Sequence, residues 1–245
     1  MSISNYYNKE TKTLILPYYF DEELKDIPEE TEKIIFNNIG HGYVSKFNQP
    51  VDNLPKNLTH LTFIGFFNQL VDNLPKNLTH LTFSSLFNQP VNNLPKKLTY
   101  LTFGCYFNQS VDNLPLSLTH LTFNWNFNQP VDNLPKTITH LTFGYLFNQS
   151  VNNLPESLMY LHIGYHCQNN ITIPKNCKIL SLSTHNKIIN NIPDHIEKLY
   201  IYDLDKNNCI SNLPITIKEI IINNENHKKF LKNIPFGTLI TVNKN

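Results

Sequence analysis

A block of 20 residues recurs without slippage through the middle of this chain, and no other feature limits its fold so sharply. Residues 47–66 read FNQPVDNLPKNLTHLTFIGF and residues 67–86 read FNQLVDNLPKNLTHLTFSSL. Four further copies begin at Phe87, Phe107, Phe127 and Phe147. The proline of the NLP triplet marks the register at Pro55, Pro75, Pro95, Pro115, Pro135 and Pro155. It continues at Pro174, Pro193, Pro214 and Pro235 with spacings of 19 to 21, and Pro28 leads it. The reading is one domain of about eleven coils whose ends are degenerate. End coils face water and cannot repeat the core pattern.

Counted from the proline, apolar residues recur at +3, +6 and +8, as in Leu58, Leu61 and Phe63. The alternation of +6 and +8 is the signature of a strand with one buried face. Val51 at −4, Leu54 at −1 and Phe47 at −8 complete the buried set. A proline in every coil, and again at Pro50, Pro90 and Pro130, interrupts any helix. Alanine, the strongest helix former, is absent from the chain. The expected architecture is therefore mainly β, with one short parallel strand per coil and little or no α-helix. Stacking at about 4.8 Å per coil makes an elongated body.

The motif F-N-x-x-V-x-N-L-P-x-x-L-x-x-L-x-F resembles the FNIP repeat, a family related to leucine-rich repeats (LRRs). That family is found mainly in amoebae and the giant viruses that infect them. The resemblance runs from about Phe20 to Val242 and is most specific from Phe47 to Ile163. It implies an LRR-like right-handed solenoid. Residues 1–12 are read as an N-terminal cap, 13–46 as a divergent first coil with an insertion near Asn37 to Lys46, 47–166 as six regular repeats, and 167–245 as degenerate coils and cap. Some family members carry an F-box before the repeats. Here about eleven residues precede the first strand-like segment, Thr13 to Leu16, which leaves no room for one.

Composition narrows the function. Net charge is +1, from 20 Lys+Arg against 19 Asp+Glu, which argues against a nucleic-acid partner. No signal peptide and no apolar run of membrane-spanning length is present, so an intracellular protein is expected. Cys105, Cys167, Cys177 and Cys209 lack metal-ligand spacing and are read as reduced thiols. No phosphate-loop, HExxH or GxSxG motif occurs. No cofactor, metal or catalysis is expected.

Two ladders are read as structural. One is Phe47, Phe67, Phe87, Phe107, Phe127 and Phe147, stacked in the core. The other is Asn53, Asn73, Asn93, Asn113, Asn133 and Asn153, with a second asparagine row from Asn48 to Asn148. At least one of these rows should satisfy backbone groups that a non-helical turn leaves unpaired. Asp52, Asp72, Asp112 and Asp132 are read as Asx-type turns. Partner-binding candidates fall in two sets. The first is the strand-face row His60, His80, Tyr100, His120, His140 and Tyr160. It suggests zinc, but a flat row at coil spacing does not converge on one ion. The second set follows the strand, where near-identical copies differ: Tyr106, Trp125, Tyr145 and Tyr165. These are residue types that anchor protein interfaces. The expectation is a monomeric scaffold for protein–protein interaction. Its alternatives are a self-assembling structural protein, or a recognition module acting with a separate ubiquitin-ligase subunit.

Overall fold

The computed structural model describes residues 3–36, 44–169, 171–183, 191–202, 204 and 209–243. Most of the expected insertion, residues 37–43, lies outside them. The described residues form one sheet of 13 strands laid down in chain order. They are β1 (Tyr7–Asn8), β2 (Thr13–Leu16), β3 (Lys33–Phe36), β4 (His60–Thr62), β5 (His80–Thr82), β6 (Tyr100–Thr102), β7 (His120–Thr122), β8 (His140–Thr142), β9 (Tyr160–Ile163), β10 (Ile179–Ser183), β11 (Lys198–Tyr202), β12 (Glu219–Ile222) and β13 (Leu239–Val242). Every pair from β2 to β13 is parallel, with like residues opposite one another, as in Leu61 beside Leu81. Only β1 runs antiparallel, folding back on β2 to close the N-terminal edge. The helical segments among the described residues are two short 3-10 turns, Ile3–Tyr6 and Glu225–Phe230.

Each coil is shaped by its proline. Pro55 accepts a hydrogen bond from the Leu58 amide at 3.1 Å, and the same closure recurs at Pro75, Pro95, Pro115, Pro135 and Pro155. That turn aims Leu58 inward and starts the strand two residues later. Leu58, Leu61 and Phe63, with Val51 and Leu54 from the return path, are all buried. After the strand the backbones of successive coils nearly touch. A Cβ added at Gly144 would lie 1.9 Å from the Asn124 carbonyl oxygen, so only glycine allows that approach.

The phenylalanines form two interleaved columns. Phe67 stacks 3.7 Å from Phe63 of its neighbouring segment and 6.0 Å from Phe47 one coil back. The pattern repeats through Phe143 and Phe147, centroids 3.8 Å apart. Phe47, Phe67, Phe87, Phe107, Phe127 and Phe147 are each fully buried. Cys167 takes the next place in that column and Cys177 a +3 position, and both are buried. Burial pushes the Cys177 thiol up to about 11, which keeps it protonated near neutral pH.

The two asparagine rows do different work. Asn48 Oδ1 accepts from the Asn68 amide at 2.9 Å, and the bond recurs from Asn68, Asn88, Asn108 and Asn128 to the coil above each. This half-buried row satisfies backbone amides that no strand reaches. Gln69 adds a bond from Nε2 to the Asn48 carbonyl at 2.9 Å. The row from Asn53 to Asn153 is exposed instead. Asn73 Nδ2 donates to Asp52 Oδ1 at 2.9 Å, and Asn93 and Asn133 reach Asp72 and Asp112 in the same way. Asp52, Asp72 and Asp112 therefore bridge coils rather than only shaping their own turns. The residue before the buried leucine of NLP must point outward, so its amide finds side chains there and no buried backbone.

Candidate protein-docking face

The strand face carries the first candidate row. His60 and His80 rings stack at 4.1 Å, His80 and Tyr100 at 4.4 Å, Tyr100 and His120 at 4.1 Å, and His120 and His140 at 4.2 Å. Tyr160 ends the row, 5.9 Å from His140. In-register strands force this: identical positions on neighbouring parallel strands sit one coil apart, and flat rings fill that spacing. Tyr100 is exposed and the others are half-buried.

A threonine before each histidine fixes its ring. Thr79 Oγ1 lies 3.1 Å from the Thr59 carbonyl oxygen and 2.9 Å from His80 Nδ1. Thr59, Thr119 and Thr139 hold His60, His120 and His140 in the same manner. The Thr59 carbonyl also accepts the Thr79 and His80 amides, at 2.9 and 3.0 Å. The Thr79 hydroxyl therefore sits between that carbonyl and His80 Nδ1, and which of the two takes its proton depends on the imidazole tautomer. Burial lowers the pKa of all four histidines, with the neighbouring His80 and Lys33 adding to the effect at His60. The neutral form is favoured near neutral pH. The threonine row went unread in the sequence, although the LTH triplet was its visible signal.

These rings do not build a metal site. The His60 and His80 rings are 12° from parallel at 4.1 Å, so their nitrogens lie side by side and do not converge. Zinc needs nitrogens converging at about 2 Å. Among the described residues no cluster of three or more His, Cys, Asp or Glu could hold a metal.

The second candidate set lies further along the same segment of each coil. Trp125 stacks on Tyr145 at 4.3 Å, and Tyr145 on Tyr165 at 5.0 Å. On the other side of Trp125 the equivalent positions are Cys105, Ser85 and Gly65, too small to cover that indole face. One residue on, Phe66, Leu86, Tyr106 and Leu146 are exposed. Trp125, at 53% exposure, stands beside this apolar row in the coil where the row itself carries the half-buried Asn126. Phe66, Leu86 and Leu146 belong to the same variable post-strand triplets, and the structure adds that they are exposed. The ridge is held by coil-to-coil backbone bonds, as from Tyr106 to the Ser85 carbonyl at 2.9 Å and from Leu146 to the Trp125 carbonyl at 2.9 Å.

The two rows share a face with no formal charge. No Asp, Glu, Lys or Arg occurs in residues 59–66, 79–86, 99–106, 119–126, 139–146 or 159–166. Charges begin at the flanks, with Lys33 on β3 and the Lys198–Glu219 pair, 2.8 Å apart, joining β11 to β12.

One serine–histidine contact occurs nearby, His162 Nδ1 to Ser181 Oγ at 2.8 Å. Ser181 is fully buried, so no substrate reaches its hydroxyl. Burial lowers the His162 pKa to about 4. The contact packs β9 against β10.

No helix among the described residues is long and apolar enough to cross a membrane. No curated protein matches the chain. Among solved structures, the giant-virus protein CroV588, described as a novel circular LRR protein, matches with a TM-score of 0.71 at 32% identity. The match covers 91% of this chain and 35% of that one, so the chain spans about a third of that protein's length. YopM from Yersinia enterocolitica is a looser likeness, with a TM-score of 0.46 at 20% identity over 84% of this chain and 53% of that one. The FNIP Repeat family model matches residues 67–106, 107–146 and 130–166. With the same motif, proline register and strand ladder running through the flanking coils, the chain is an FNIP repeat-containing protein with an LRR-like solenoid fold.

Proposed function

We propose that this protein is a non-enzymatic scaffold that docks another protein on its strand face and post-strand ridge, working as a monomer. One observation carries the reading: Phe66, Leu86, Tyr106 and Leu146, with Trp125 beside their row, are exposed apolar side chains on neighbouring coils, and the amides of Phe66, Tyr106 and Leu146 are bonded coil to coil. A rigid apolar surface loses little conformational freedom on binding, which favours association. Aromatic anchors of this kind dominate the energy of protein interfaces. LRR-like folds commonly bind proteins, which supports the same reading.

The test is affinity capture from cells with the wild type, Trp125→Ala and Tyr145→Ala. A partner held by the wild type and lost from both variants supports the docking face. A partner held equally by all three places docking elsewhere and defeats the reading.

Self-assembly is the competing reading. It is favoured by the outer edge of β13, which pairs with no strand among the described residues and carries the exposed Leu239. Sizing chromatography separates the two: a sharp monomer peak supports the scaffold, and a ladder of larger species supports assembly.

A further inference from the structure

The two edges of the sheet are finished differently. At one edge β1 folds back antiparallel on β2, and the turn Ile3–Tyr6 packs against β2 with Ile3 buried. At the other, β13 is outermost and meets no strand beyond it among the described residues. Leu239 and Asn243 give their amides to the Lys218 and Ile222 carbonyls of the previous coil, at 2.9 and 2.8 Å. Along a strand the backbone groups of alternate residues face opposite neighbours. The N–H and C=O of Ile240 and Val242 therefore point outward, away from β12.

Nothing in β13 blunts that edge. Its residues Leu239–Val242 include no proline and no charge, and their register with β12 is unbroken. Ile240 and Val242 are half-buried, packed against the core from one side only. Their counterparts one coil back, Ile220 and Ile222, have strands on both sides and are fully buried. A further strand with apolar residues opposite Ile240 and Val242 would bury them in the same way.

The charges of this last described coil state what such a strand must bring. Counted back from the proline, Lys228 and Lys232 stand at the places of Asn48 and Asp52. In the regular coils those places accept bonds from the next coil. Asn48 Oδ1 takes the Asn68 amide and Asp52 Oδ1 the Asn73 side chain, both at 2.9 Å. An ammonium only donates, so acceptors are required opposite it. Glu225 is 2.7 Å from Lys228, whereas the exposed Lys229 and Lys232 pair with no carboxylate among the described residues.

A second copy of this chain fits poorly. Two β13 edges laid together bring the lysine-bearing coils face to face. The N-terminal coil of a copy is acidic, but its sheet edge is the two-residue β1. Glu23, Glu32 and Asp21 there are already engaged by Lys25, Lys12 and the Asn48 amide.

We propose that the outer edge of β13 is a second docking site, where an extended acidic segment of a partner protein adds as a parallel strand. Its backbone bonds to Ile240 and Val242, and its alternate apolar residues cover those two side chains. Carboxylates ahead of its strand meet Lys229 and Lys232, which come ahead of β13 in their own coil. This edge lies beyond the coils that carry the aromatic rows, so the inference is independent of the docking reading above.

The probe is a dye-labelled, acetylated peptide of three glutamates, a serine–glycine linker and the strand Val-Thr-Ile-Thr-Val. One control replaces the glutamates with lysines, and another replaces the isoleucine with proline. Fluorescence anisotropy is expected to show saturable binding of the glutamate peptide that weakens as salt rises. Each control should bind about tenfold more weakly or worse. Bound peptide should slow hydrogen exchange at the Ile240 and Val242 amides and leave the Leu239 amide, already bonded to Lys218, unchanged. Val242→Pro deletes one outward N–H and keeps the bonds to β12, and should weaken binding about tenfold. Should that variant fail to fold, the exposed pair Lys229→Glu and Lys232→Glu is the second route. It is expected to reverse the preference in favour of the lysine peptide.

Equal binding of the glutamate and lysine peptides overturns the proposal. So does unchanged affinity in folded Val242→Pro, or the absence of saturable binding by the glutamate peptide. Self-association of the chain that Val242→Pro abolishes also overturns it, because the edge then takes a second copy. If a cellular partner depends on Trp125 while the peptide does not bind, this inference fails and the docking reading stands. If that partner is indifferent to Trp125 and Tyr145 while the peptide binds as expected, the docking reading fails and this inference stands.

Discussion

Thr119 Oγ1 lies 2.9 Å from His120 Nδ1 and 3.1 Å from the Thr99 carbonyl oxygen. One hydroxyl thus ties two coils together and holds the ring of the next residue. The same pairing recurs at Thr59, Thr79 and Thr139. Nitrogen chemical shifts should show one shared tautomer at His60, His80, His120 and His140 near neutral pH. Thr119→Val removes the hydroxyl beside His120 alone. The tautomer balance of His120 should then shift while the other three histidines stay unchanged. An unmoved His120 in the variant would contradict the network.

The phenylalanine columns should dominate stability. Phe107 is fully buried between Phe87 and Phe127, with Phe103 stacked at 3.7 Å. Phe107→Ala should cost about 3–5 kcal/mol in urea unfolding, since a large cavity opens against rings that cannot close it. Phe107→Leu should cost less than half of that. In a solenoid the loss falls on both neighbouring interfaces, so unfolding should also become less cooperative.

The two asparagine rows should respond unequally. Asn88 Oδ1 accepts the Asn108 amide at 2.9 Å in a half-buried position. Asn88→Ala leaves that amide unpaired and should cost about 1–3 kcal/mol. Asn93 bonds only to the exposed side chain of Asp72, at 2.9 Å. Asn93→Ala should stay within about 0.5 kcal/mol of the wild type. Thermal or urea midpoints of the two variants provide the comparison.

Acid should weaken the fold through His162. Its folded pKa of about 4 lies below the ordinary value of 6.5 because burial disfavours the charged ring. Between these values the unfolded chain takes up a proton that the folded protein refuses. Stability is therefore complete above about pH 6.5 and is lost as pH falls toward 4, by roughly 3 kcal/mol from this residue. The lowered values at His60, His80, His120 and His140 act with the same sign. Unfolding midpoints across this range should shallow in His162→Thr, which takes the residue found at Thr142 one coil back. An identical slope in the variant would remove His162 from the account.

Gly144 should not tolerate a side chain. Its Cβ would sit 1.9 Å from the Asn124 carbonyl oxygen, a backbone atom fixed by the stack. Gly144→Ala should destabilise by about 1–3 kcal/mol through forced separation of two coils. Urea unfolding measures the loss.

The residue order alone determined the repeat length, the single strand per coil and the buried set. Leu58, Leu61 and Phe63 return at every 20 residues, and a strict period leaves one way to align neighbours. The burial of Phe47 through Phe147 also follows from the pattern, because a bulky apolar residue in every coil has nowhere else to go. Other features depend on what one coil meets in the next, which a linear pattern does not display. Asn48 and Asn53 look alike in the sequence, yet one faces unpaired backbone amides and the other water. Thr79 reads as a strand-forming residue, and only stacking brings it to the Thr59 carbonyl and the His80 ring together. Phe66, Leu86 and Leu146 are isolated side chains until parallel register sets them at like positions of neighbouring coils, near the exposed Trp125. Periodicity records which side of the chain is buried. The hydrogen bonds and ring contacts that shape the docking face run between coils, so they exist only once the coils are stacked.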